Sequence, residues 1–88
     1  MSLEEYRKKI DSIDVQLIKL IAERLALMPE IAQFKKANNL PIFQPEREKQ
    51  LLEERKKLAR ELNINPDLIE AVFKSIISEC RKTQDGKA

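Results

Sequence analysis

Apolar side chains recur at alternating spacings of three and four through Leu3, Tyr6, Ile10, Ile13, Leu17, Leu20, Leu27, Ile31 and Phe34. The single missing beat, between Leu20 and Leu27, is Arg24. That spacing is the inward seam of a long amphipathic helix. An arginine on the seam has two resolutions. It lines a cavity with other polar groups, because an uncompensated buried guanidinium is too costly to keep. Or it snorkels to the bundle edge and pairs with a carboxylate of a neighbouring helix.

The helix carrying the seam is expected to run from Ser2, an N-cap with Glu4 and Glu5 in the first turn, to about Asn38, where Asn38-Asn39 and Pro41 stop it. At about 1.5 Å per residue it is roughly 54 Å long. A compact chain of 88 residues has a diameter of only about 30 Å. The helix overhangs its own domain, and Tyr6, Ile10 and Ile13 need another chain to cover them. Val15, Ile18, Ile21, Leu25 and Met28 widen the apolar stripe, as in a helix packed on two sides. The expected assembly is a homodimer built on paired first helices. Pro29 removes one hydrogen bond to the Leu25 carbonyl and predicts a kink one turn beyond Arg24, with the seam continuing through it.

After a loop over Asn38 to Gln44, Pro45 and Glu46 open a second helix to about Glu61. Asn65-Pro66-Asp67 starts a third, to about Thr83, with Leu68, Ile69, Val72, Phe73, Ile76, Ile77 and Cys80 as its stripe. The tail Asp85-Gly86-Lys87-Ala88 is expected to fray. The fold class is all-α, a single domain over 1–88, a three-helix protomer with a long first helix intertwined as a helical homodimer. One glycine, 5% aromatic residues and no strand-like alternation agree with it.

The 17 basic and 15 acidic residues alternate in sign, and a net charge of +2 leaves no basic face for nucleic acid. No apolar run suggests a signal peptide or a membrane span, and Cys80 has no second cysteine to pair with. A soluble, cytoplasmic protein is expected. Without histidine and with one cysteine, the usual zinc sites and histidine-dependent nucleophiles are not available.

Charge, amides and carboxylates remain for any chemistry. Arg47 and Glu48 lie one turn before the inward Leu51 and Leu52, and Gln84 continues the third stripe four residues after Cys80. Lys35, 11 residues after Arg24, projects from the same side of the first helix about 16 Å along the axis. Each has an ordinary alternative: an internal salt bridge, a solvated end, or, for Cys80, a small core residue. Together, Arg24, Lys35, Arg47, Glu48 and Gln84 suit a cavity for a small dianion bearing a hydroxyl and an ether or carbonyl oxygen. Arg7 lies 17 residues before Arg24 and about 100° around the helix, so any pocket it serves belongs largely to another subunit. With no general base near neutrality, the fitting reaction is one driven by binding and electrostatic preorganisation.

These residues resemble the all-helical class of chorismate mutases. The resemblance covers Arg7-Lys8-Lys9-Ile10-Asp11-x-Ile13-Asp14, Leu20-Ile21-Ala22-Glu23-Arg24, Lys35, Pro45-Glu46-Arg47-Glu48 and Phe73 through Gln84. It implies a three-helix protomer interlocked as a homodimer with two equivalent sites, and a cofactor-free Claisen rearrangement of chorismate to prephenate in aromatic amino acid biosynthesis. By the resemblance, Arg24 and the partner subunit's Arg7 hold the two substrate carboxylates, with Arg47 supporting the charge network. Lys35 and Gln84 donate to the ether oxygen, and Glu48 accepts from the ring hydroxyl. Gln44 stands where the family often has an acidic residue and Cys80 where it often has a serine, which bears on affinity more than on reaction type. The resemblance extends to isochorismate pyruvate lyase, although Glu48 favours a mutase. A mutase of the 4-amino analogue and a non-catalytic helical dimerisation module are the further alternatives.

Overall fold

The computed structural model describes residues Met1 to Gly86, so Lys87 and Ala88 of the expected frayed tail lie outside the described residues. Four helical segments follow in order: α1 over Leu3–Ala26, α2 over Met28–Ala37, α3 over Pro45–Glu61 and α4 over Pro66–Gln84. Among the described residues there is no strand, and no helix is long and apolar enough to cross a membrane.

The long first helix is present, divided by one residue. Leu27 keeps helical dihedrals of −76° and −18°, but its N–H turns back to the Arg24 carbonyl at 3.3 Å, a three-residue step. Pro29 is the cause: with no N–H to offer Leu25, it sits where a helix start tolerates it, in the first turn of α2. The ladder resumes at once, with Ile31 N–H on the Leu27 carbonyl at 3.0 Å. The division falls two residues before the proline, closer to Arg24 than the residue numbers suggest. The molecule measures 55 × 24 × 16 Å with a radius of gyration of 16.1 Å, well above the roughly 12 Å of a compact chain this size.

The caps follow the local chemistry. Ser2 accepts from the Glu5 N–H at 3.2 Å, and Asn65 from the Asp67 N–H at 2.9 Å. Asn39 and Asn63 take left-handed φ values of 56° and 59°, which asparagine tolerates better than most residues, and so end α2 and α3. Beyond α4, Asp85 and Gly86 continue into an ordered cap rather than fraying. Their N–H groups reach the Arg81 and Thr83 carbonyls at 3.0 and 3.1 Å.

The core is small and lies at one end. Met28, Leu51, Ala59, Ile77 and Cys80 are its buried apolar residues, drawn from α2, α3 and α4. α1 buries no residue. Leu3, Tyr6, Ile10, Ile13, Leu17 and Leu20 are each more than half exposed.

Candidate active site

Four helical segments converge on a cavity of about 290 Å³, near the lower limit for small-molecule sites. Arg24 enters it from the end of α1, Lys35 from α2, Gln44, Arg47 and Glu48 from the start of α3, and Cys80, Arg81 and Gln84 from α4. Met28, Ile31, Ile42, Leu51 and Ile77 supply apolar walls. Of the eight residues the sequence singles out, seven line this one cavity, and Arg7 does not. Arg7 is 17 residues before Arg24, about 25 Å along the helix, beyond the reach of its side chain.

Within the cavity the polar groups hold one another in place. Arg24 Nη1 donates to Cys80 Sγ at 2.8 Å, so the arginine on the seam faces a polar wall and has no carboxylate partner among the described residues. Lys35 Nζ donates to the Ile42 carbonyl at 2.9 Å and to Gln84 Oε1 at 2.7 Å. An ammonium has three donors, so one is left for a ligand. The bond from Lys35 fixes the oxygen of the Gln84 amide and turns its Nε2 toward Met28 Sδ, a weak acceptor at 3.4 Å that a better oxygen can replace. Burial holds the Lys35 ammonium below the usual lysine value of 10.5, and the negative charge of Glu48 opposes that shift without cancelling it.

At the mouth, Arg47 is exposed and donates to Gln50 Oε1 at 3.2 Å, and the Gln44 side chain donates to the Pro41 carbonyl at 3.3 Å. Glu48 meets a residue that the helix-three stripe did not flag. Arg81 Nη2 lies 2.5 and 2.7 Å from the two Glu48 oxygens, and the Arg81 guanidinium stands 4.4 Å from the centre of the Phe43 ring. Arg81 is four residues after Ile77, so the test that isolates Arg24, a charge at an apolar beat, finds it as well. The cavity holds four cations, Arg24, Lys35, Arg47 and Arg81, against one carboxylate, Glu48, for a net of three positive charges. Such a cavity is built for an anion with more than one negative charge.

The model of the chorismate mutase type II family matches residues 6–85. A chorismate mutase from Methanocaldococcus jannaschii is 39% identical over 82 residues, covering 93% of this chain and 83% of that protein. The T-protein of Enterobacter agglomerans is 40% identical over 85 residues, 97% of this chain but 23% of its own length. A bifunctional chorismate mutase/prephenate dehydratase from Aquifex aeolicus is 37% identical over 81 residues, 89% of this chain and 22% of that protein. The chain thus spans most of the first and under a quarter of the other two. The match runs through every segment that builds the cavity, and the chain belongs to the chorismate mutase type II family.

Proposed function

We propose that this protein rearranges chorismate to prephenate. The observation that carries the reading is the convergence of Arg24, Lys35, Gln44, Arg47, Glu48, Cys80 and Gln84 on one cationic cavity in a chain of this family. In the rearrangement an ether C–O bond breaks as a C–C bond forms within one molecule, so no proton needs to be carried and no co-reactant is consumed. The protein's work is to hold a compact, chair-like conformer and to stabilise negative charge growing on the ether oxygen.

The third Lys35 donor and the Gln84 Nε2 amide supply that stabilisation. Both are pre-aimed by their mutual hydrogen bond, so little reorganisation is needed when charge develops. Arg24 holds one substrate carboxylate, steadied by Cys80, and Arg47 adds positive charge at the rim. Glu48 accepts from the ring hydroxyl, and the Gln44 backbone closes the same side.

The second carboxylate falls to Arg7 of a second copy of the chain. Six half-bare apolar residues on α1 support that assembly. Covering them is worth about 1 kcal/mol each, on the order of 6 kcal/mol per chain, comparable to the whole stability of a small domain.

The test is to incubate the protein separately with chorismate and isochorismate and to identify the products. Prephenate from chorismate is the expected result. Pyruvate and salicylate from isochorismate, with chorismate untouched, would replace the mutase reading with the lyase. Turnover of neither would leave a helical dimerisation module.

A further inference from the structure

We propose that Arg81 makes this cavity select a ring hydroxyl over a ring ammonium, an inference that rests on the mutase reading above. Arg81 places a single nitrogen, Nη2, across both oxygens of Glu48, the residue that faces the ring substituent. Phe43 stacks beneath the guanidinium at 4.4 Å and holds it there. The Arg81 Nε is buried and has no acceptor among the described residues, so no competing acceptor there draws the guanidinium away from Glu48.

A carboxylate has about four lone-pair sites, and Arg81 occupies two of them. The remaining pairs still accept a hydrogen bond from a hydroxyl, which needs an acceptor and no net charge. An ammonium at the same ring position needs an anion. Here it finds a carboxylate already neutralised by a permanent cation, and it meets that cation at short range. Arg81 therefore leaves the hydroxyl substrate well bound and turns the ammonium substrate away, a repulsive element of the kind specificity requires. Arg81 acts through Glu48 and touches no reacting atom, so it is a specificity-determining residue and not a catalytic one.

The experiment measures kcat/KM for chorismate and for 4-amino-4-deoxychorismate with the wild-type protein, Arg81→Met and Arg81→Lys, with folding followed by circular dichroism. The wild type is expected to prefer chorismate. Arg81→Met should move the ratio of the two kcat/KM values toward the amino substrate by about tenfold or more, mostly through its KM, as expected when a close like charge is removed. Arg81→Lys restores the cation and should keep the wild-type preference. If Arg81→Met does not fold, Arg81→Gln, with a polar head on a similar stem, carries the same measurement. A merely structural role would lower both substrates together and leave the ratio fixed, and that result overturns the proposal while the mutase reading stands. A wild type that turns over neither substrate overturns both.

Discussion

One apolar seam runs from Leu3 to Phe34, yet its two halves solve opposite problems. Between Leu3 and Leu20 every beat is apolar and none is buried within the chain. From Arg24 onward the seam is interrupted by charge, and there Arg24 and Ile31 line the cavity that α2, α3 and α4 build, while Leu27 and Phe34 stay exposed. The apolar half meets no partner within the chain, whereas the interrupted half meets its own chain at Arg24 and Ile31, on the wall of the cavity. An apolar stripe by itself says only that something must cover it. A charge within the stripe says what the covered space is for.

The largest effect expected on this contrast comes from the bare half. Ile10→Asp combined with Ile13→Asp should convert a two-chain species to a one-chain species in sedimentation and abolish chorismate turnover. A change in mass with turnover intact would show that the cavity is complete in one chain. Arg24→Leu tests the other half by making its seam as apolar as the first. The melting temperature should hold or rise, because a charge leaves an apolar row, while turnover falls about 10³-fold or more. Cooperative loss of folding would instead make Arg24 a structural residue held by Cys80.

Gln84→Glu is expected to cost about 10²- to 10³-fold at neutral pH, because the new side chain donates only when protonated and as an anion repels charge on the ether oxygen. Its rate should rise toward acid, whereas the wild type stays nearly flat from about pH 6 to 8. The wild type has its own limit on the alkaline side. Burial lowers the Lys35 value, so the cation is fully present below that value and is lost, with the rate, as pH rises through it, earlier than for an ordinary lysine at 10.5. Rates of chorismate loss across the pH range, with folding followed at each point, check both.

Mixing inactive Arg7→Ala and Arg24→Ala proteins joins the two halves in one assay. Random exchange makes half the dimers mixed, each with one unaltered site, so up to about a quarter of wild-type activity should return. No recovery after verified exchange would overturn the assignment of Arg7 to the partner's site, since about 25 Å of helix keeps it out of the cavity of its own chain. The smallest effect is expected from Cys80→Ser, which offers Arg24 an oxygen of similar size in place of sulfur. Affinity should hold or improve within a few-fold, and activity below about 1% of wild type would mean that the thiol does more than border the site.

Much of this was legible in the sequence because it rests on local chemistry. α3 begins and ends where Pro45 and Glu61 predict, and the Asn65 cap, the Pro29 discontinuity and the convergence of Arg24, Lys35, Arg47, Glu48 and Gln84 follow from spacing and stop signals, with Gln44 and Cys80 added by the family resemblance. Two features were not. The position of the discontinuity at Leu27 depends on which carbonyl the chain abandons, and a proline fixes only its own missing bond. The Glu48–Arg81 pair joins residues 33 apart, on helices whose relative rotation no single-helix pattern encodes. The third stripe also proved less buried than its pattern: Leu68 and Val72 remain exposed, Ile69, Phe73 and Ile76 are half-buried, and only Ile77 and Cys80 are fully buried. Like the start of α1, the face of α4 that carries Leu68 and Val72 is apolar and exposed.

Lys35 also ties the loop between α2 and α3 to the end of α4, since the same nitrogen holds the Ile42 carbonyl and the Gln84 amide. Loop length is thereby coupled to the two donors proposed to serve the ether oxygen. A residue inserted or deleted between Leu40 and Phe43 would displace the ammonium's anchor before it disturbed any helix. Such changes should therefore register as lost turnover at unchanged melting temperature, and anyone grafting a tag or sensor into this small protein would find that its most accessible-looking connection is part of its chemistry.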